Sequence, residues 1–393
     1  MRLPSWKIIL FLFCFTAACA PQARAIPTPT FQPTTPVLLP TPSLISTATL
    51  PQASPTPTLL PATATPLPPP SLPHYTLTVD FSFERYSGHV VEEIQYPNSA
   101  DQALTELRLM VPLYQYRGAL TITGLTWLGG AQDGQGVENA TVENIQIFIP
   151  LPKPLQPGES AGLKVEYDFS LPSQSAVGGE RPLPIGYTAR QMNLVDWYVF
   201  VPPFRSDMGW LAHPPSYYGE NLVYDLSDFD VNLRLVDGRK DLVVAASDAA
   251  KEDGEWLRFH RPASRSFALS ISPEYGVETA QVGQITVSSY YFPLNESAGK
   301  SALKTTVEAL ELYLELFGAY PHDTLAVVEA DFYDGMEYDG LYFLSRAFYN
   351  LHKDDPADYL VAIAAHEIAH QWWYGSVGND QANEPWLDEA LCT

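Results

Sequence analysis

Cysteine is nearly missing from this chain. There are three among its 393 residues, Cys14, Cys19 and Cys392, and the first two fall in or beside an apolar leader. No pair is left for a disulfide framework, so the folded part must be held by packing and by metal. Basic residues are scarce as well: 22 Lys and Arg stand against 45 Asp and Glu, a net charge of −23. That balance excludes the basic stripe that nucleic-acid binding needs. Beyond a well-solvated surface it carries no information about substrate. The apolar run at the N-terminus, Ile8 to Phe15 behind Arg2 and Lys7, is too short to span a bilayer and fits the core of a signal peptide over residues 1–20.

The end of that leader reads in two ways. Thr16-Ala17-Ala18-Cys19 resembles a bacterial lipoprotein signal, in which Cys19 becomes the lipidated first residue, although Thr16 stands where an aliphatic side chain is usual. Ordinary cleavage after Ala20 or Ala25 is the alternative. Either way the expectation is export to the cell envelope, with a lipid anchor to a bacterial membrane if Cys19 is modified. Residues 21–73 are rich in Pro, Thr, Ser, Ala and Leu, without helical or strand period. Such a segment cannot bury enough to fold and predicts an extended linker, which at about 3.1 Å per residue would reach roughly 150 Å. A lipid at one end and a folded body at the other would make it a stalk.

From His74 apolar and polar residues alternate, as in HYTLTVDFSFERYSGHVVEEIQY, and similar stretches recur between turn signals such as VDGRKD and KEDGE. This predicts an all-β, sandwich-like domain of two packed sheets over residues 74–277. The aromatic stretch 196–221 is a long excursion from it, either lining a cleft or packing beneath a loop. The period then turns helical. Leu303, Val307, Leu310, Leu314 and Phe317 recur at three- and four-residue intervals, opening a second region, 278–393, of mixed helix and strand. There TLAVVEADF reads as a buried strand, DGMEYDG as a loop and GLYFLSRAF as a further strand.

A helix is expected to start at Asp355-Pro356, an N-cap acid followed by proline, and to run through ADYLVAIAAHEIAHQWWY to Gly375. It is apolar almost all round, so its polar residues need partners. His366 and His370 are four apart and can share an ion from one helix face. Two imidazoles and a carboxylate suit a single zinc ion and leave a fourth position for water; a structural zinc would want a fourth protein ligand, and none is found. Glu367 is placed to act as general base on that water. The third ligand is not the histidine of a metzincin, because Trp373 and Ser376 stand where glycine and histidine would be. Nor is it set in a thermolysin-type run, whose acid would fall at Thr393. Glu389 is the candidate, with eighteen residues between it and His370, on a second helix opened by Pro385 and packed by Leu387 and Leu391.

HEIAHQWWYGSVGNDQANEPWLDEA resembles the membrane alanyl aminopeptidase family of gluzincins, and DGMEYDG resembles that family's G-x-M-E-N loop, with Tyr338 in place of asparagine. The resemblance covers about residues 74–393. It implies a β domain followed by a thermolysin-like α+β zinc peptidase domain. It also implies removal of single residues from peptides with free N-termini, Glu337 binding the substrate's α-amino group, and Gly335 and Met336 along the peptide backbone. In the family a tyrosine beyond the third ligand stabilises the oxyanion, and no residue here takes that role. LDEALCT stops within a short helix without a capping glycine, which reads as the N-terminal part of a longer enzyme. For these 393 residues alone the expectation is weak zinc binding and little turnover. A binding or scaffold protein that keeps the peptidase shape is the alternative from another class, and a zinc endopeptidase is a third.

Overall fold

Alternation in the first strand does what a half-buried strand requires. Along His74–Ser82, Tyr75, Leu77, Val79 and Phe81 are buried and the residues between them face partly outward. The computed structural model describes residues 71–174, 184–216 and 219–392. The signal peptide, Cys19, nearly all of the 21–73 linker and Thr393 lie outside them. His74–Ser82 sits mid-sheet, antiparallel to Ser87–Pro97 and parallel to Ser227–Leu235. Seven strands form this sheet, in the order Lys251–Asp253, Trp256–Ser264, Ser227–Leu235, His74–Ser82, Ser87–Pro97, Ser160–Ser170, Leu120–Trp127.

The β region is built from more than two sheets. A three-stranded sheet around Gln146–Leu155 and a four-stranded sheet containing Leu269–Ser272 and Met192–Leu194 join the large sheet in one hydrophobic cluster. The aromatic excursion serves packing: Trp197, Tyr198 and Phe200 are buried, and Trp197 Nε1 donates to Phe267 O at 3.0 Å. Covering these rings takes the additional short sheets.

A five-stranded mixed sheet follows, in the order Gly276–Val282, Ile285–Tyr291, Thr324–Ala330, Leu341–Ser345, Gly335–Tyr338. Its helices are α1 (Glu296–Phe317), α2 (Arg346–Leu351), α3 (Tyr359–Ala369) and α4 (Pro385–Cys392). Leu303 and Leu310 of α1 are buried in a second cluster with Leu360, Ala364 and Ile368 of α3, while Phe317 stays partly exposed against Tyr313, Trp372 and Trp373. Two expected elements differ. DGMEYDG is not a loop, because Gly335–Tyr338 pairs antiparallel with Leu341–Ser345. The strand expected over GLYFLSRAF ends at Ser345, whose hydroxyl caps α2 by accepting from Ala347 N. Among the described residues no helix is long and apolar enough to cross a membrane.

Candidate metal centre

Helix α3 starts later than Asp355-Pro356 suggests. Asp355 closes a local turn onto Ala357 N, and the cap is Asp358 instead, which accepts from Leu360 N at 3.3 Å and Lys353 N at 2.7 Å. The helix also stops before Gly375. His370 is its C-cap, and the chain then turns through Trp373 and Tyr374 in non-helical conformations, with Gly375 N donating to His370 O. Both histidines therefore lie at the carboxyl end of α3, where the helix dipole favours positive charge.

The structure brings His366, His370 and Glu389 together. His366 Nε2 lies 3.1 Å from His370 Nε2 and 3.4 Å from Glu389 Oε2. Atoms bound about 2.0–2.1 Å from a tetrahedral zinc lie roughly 3.3–3.4 Å apart, so these separations match the edges of such a site. The protons agree. His366 Nδ1 faces Cys392 O at 3.2 Å, and His370 Nδ1 faces Asp388 Oδ1 at 2.7 Å and Trp373 O at 3.2 Å. These partners only accept, so each neutral ring keeps its proton on Nδ1 and turns the Nε2 lone pair toward the other. In that neutral form the two Nε2 lone pairs and the Glu389 carboxylate make a donor set that fits a divalent cation. Burial opposes charge on His370, but Glu337 and Asp388 outweigh it and raise its pKa; a bound cation would satisfy the same field.

Glu367, next to His366, is buried, and its Oε2 has no hydrogen-bond partner among the described residues. Burial pushes its carboxyl up to about 8, against the pull of His370. Gly335 passes directly over it: a Cβ there would overlap Glu367 Oε1. Glu337 is buried too, with Oε1 unpartnered and 3.9 Å from His370 Nδ1, and its carboxyl is pushed up to about 8, chiefly by burial. Met336 is half-buried beside it. Gln371 fastens this hairpin to the end of α3, donating to Tyr338 O at 3.1 Å and accepting from Gly340 N at 2.8 Å.

Helix α4 turns a different face inward from the one its leucines suggest. Leu391 is 49 % exposed, and the buried positions are Asp388 and Cys392, whose polar atoms find partners among the histidines. Three contributors went unnoticed in the sequence. Asp388 is adjacent to Glu389 and carried a signal as the neighbour of a ligand. Glu220, close to Glu337 and Asp388 and with its pKa raised by burial and by those two acids, gave none, since it comes from the aromatic excursion. Arg265 reaches from the β region to donate to Tyr374 O and Gly375 O. It likewise depends on tertiary packing alone.

Compared by sequence, the chain matches no family model and no curated protein. Its fold is similar to solved zinc peptidases. A two-domain M1 zinc metallopeptidase bound to L-arginine aligns over 82 % of this chain and 68 % of its own, at TM-score 0.53 and 18 % identity. The same type of enzyme bound to L-tryptophan aligns over 82 % and 69 %, at TM-score 0.52 and 19 % identity. An M1 zinc metallopeptidase from Deinococcus radiodurans aligns over 82 % and 68 %, at TM-score 0.52 and 18 % identity. The chain thus has the fold of the M1 zinc metallopeptidases, a β domain followed by a thermolysin-like α+β domain, with α3, α4 and the Gly335–Ser345 hairpin around the histidines.

Proposed function

We propose that the protein is a zinc-dependent aminopeptidase acting on peptides with a free N-terminus. One observation carries the reading: His366 Nε2, His370 Nε2 and a Glu389 oxygen converge to within 4.8 Å of one another, beside two buried carboxyls that each keep an oxygen without a hydrogen bond among the described residues. A zinc ion bound by these three side chains supplies Lewis-acid polarisation of the scissile carbonyl. Glu367 takes the proton of the attacking water and passes it to the departing amine as the peptide bond breaks. Glu337 faces the substrate's ammonium as an anion and so limits cleavage to the N-terminal bond. The strand Gly335–Tyr338 lies at a sheet edge, which suits backbone pairing of a peptide along Gly335 and Met336. Enzymes of the same fold holding L-arginine and a Tyr-Ser-Ala substrate support a peptide as the ligand. The reading extends to place: the enzyme works outside the cell, held to a bacterial membrane by lipid on Cys19 and spaced from it by residues 21–73.

The test is Glu367→Gln in the full-length, zinc-loaded protein, assayed on aminoacyl anilides and on the same peptides with free and acetylated N-termini. Turnover should fall by about a hundredfold to ten-thousandfold with zinc content unchanged, and acetylated peptides should resist cleavage. If the wild type turns nothing over and its cellular role survives Glu367→Gln, the protein is a binder in a peptidase fold. Equal cleavage of acetylated peptides would make it an endopeptidase.

A further inference from the structure

Helix α4 brings more than Glu389 to the histidines. Asp388 Oδ1 lies 2.7 Å from His370 Nδ1, with the two side chains only 3 % and 1 % exposed. The carbonyl of Cys392 lies 3.2 Å from His366 Nδ1. Residues 388, 389 and 392 thus deliver two proton acceptors and one ligand from little more than a single helical turn. The acceptors are unequal. His366 has a neutral carbonyl and is 26 % exposed, whereas His370 has a buried anion, itself held by Gln381 Nε2 at 2.6 Å from Oδ2.

We propose that Asp388 is a positioning residue for the metal centre. Its carboxylate fixes the tautomer and ring plane of His370 and, being anionic, makes that imidazole the stronger of the two nitrogen ligands. The inference rests on His366, His370 and Glu389 being the zinc ligands. The same surroundings contain a rival arrangement: Cys392 Sγ is 3.5 Å from His370 Nδ1, and His370, Asp388 and Cys392 could together hold a softer ion. In that arrangement Asp388 would be a ligand, and Nδ1 would carry no proton.

The experiment titrates zinc into chelator-stripped full-length protein against a chromophoric competitor, for wild type, Asp388→Asn and Asp388→Ala. Cobalt spectra and far-UV circular dichroism are recorded on each. Wild type should bind one ion. Asp388→Asn keeps the shape and loses the charge, and should weaken binding about tenfold; Asp388→Ala also loses the acceptor and should approach a hundredfold. The cobalt d–d bands should shift in both with the fold unchanged, which a merely structural role would not produce. Wild-type affinity and spectrum in Asp388→Asn would overturn the inference. So would a thiolate-to-cobalt charge-transfer band in the wild type that Cys392→Ser removes, because the ion would then sit on the other set. Failure of the wild type to bind zinc at all would instead bring down the reading of the metal site itself.

Discussion

Glu337 and Asp339 are two residues apart on one hairpin and both are buried, at 6 % and 3 % exposure. Their electrostatic surroundings are opposite. Asp339 accepts from Arg261 Nη2 at 2.8 Å and from Arg265 N at 3.0 Å; burial raises its carboxyl, but the charge and hydrogen bond of Arg261, with His322 and the Arg265 N–H, together hold it below the usual range. Arg261 is itself fully used, with Ser264 Oγ at 3.0 Å, Ser247 O at 2.6 Å and Tyr320 Oη at 3.2 Å. The cation beside Glu337 is His370, 3.9 Å away; Glu337 Oε1 has no hydrogen bond among the described residues, and the side chain faces Glu367, Asp388 and Glu220. One acid is neutralised within the protein and fastens the hairpin to the β region. The other has only a weak internal partner and keeps its proton to about pH 8 in the metal-free chain, so a cation arriving from outside is what would favour its ionised form. The difference separates a polar cluster that supports a site from one that is the site.

The largest expected effect comes from breaking the neutralised cluster. Arg261→Met leaves Asp339 a buried anion without its charged partner and should destabilise the protein by about 3–5 kcal/mol, read from urea unfolding at neutral pH. In the wild type burial and Arg261 hold the pKa of His322, whose Nε2 is 3.6 Å from Asp339 Oδ1, down to about 4. In the variant burial alone opposes its protonation, so any compensation by His322 should grow as pH is lowered. An unchanged urea midpoint would mean that the cluster does not fasten the hairpin.

How much of this arrangement can be read from sequence depends on how local its causes are. The strand His74–Ser82 follows from alternation alone, and the grouping of His366, His370 and Glu389 follows from helical spacing and Pro385. Gly335–Tyr338 does not look like a strand, because its glycine and its glutamate are poor strand formers and only the partner Leu341–Ser345 makes it one. The start of α3 differs from the sequence expectation for a related reason: Asp355 and Asp358 are equivalent as caps in the sequence, and the choice is made by His352 and Lys353 N holding Asp358. Apolarity points to the wrong inward face of α4. Here the buried face is polar, and its partners are the histidines. Glu220, Arg261 and Arg265 lie far along the chain from Asp388, Asp339 and Gly375, so no local pattern could place them there.

A smaller loss is expected where the two halves of the site touch. Gly335→Ala puts a methyl group into the space of Glu367 Oε1. Either the edge strand retreats or the carboxylate swings away, at about 1–3 kcal/mol by urea unfolding. In the zinc-loaded enzyme turnover should fall on the order of a hundredfold from the misplacement, with zinc content unchanged. A variant with wild-type stability and turnover would show that Glu367 and the hairpin are not held in register, and that the close approach has no functional weight.

The smallest effect tests the contrast between the two acids directly. In metal-free protein Glu337 has its pKa pushed to about 8, against an ordinary 4.5. Between those values the unfolded chain has already released the proton that the folded chain retains. The unfolded state then binds fewer protons, so this group makes stability fall as pH rises through the window. Glu337→Gln cannot titrate and should lose part of that fall, gaining on wild type from about pH 5 to about pH 8 in urea unfolding series; Glu367, shifted the same way, keeps the remainder. Asp339→Asn should behave in the reverse sense. Its folded pKa lies below the ordinary 3.8, so its contribution is present above that value and is lost only as pH falls through the depressed pKa. The variant should therefore be weaker than wild type throughout the neutral range and converge with it in acid. If Glu337→Gln instead runs parallel to wild type across the window, Glu337 is already ionised in the folded metal-free chain. The field of Glu220, Glu367 and Asp388 would then be balanced by a positive charge within the protein, on His370, and the space beside Glu337 would no longer need a cation from outside.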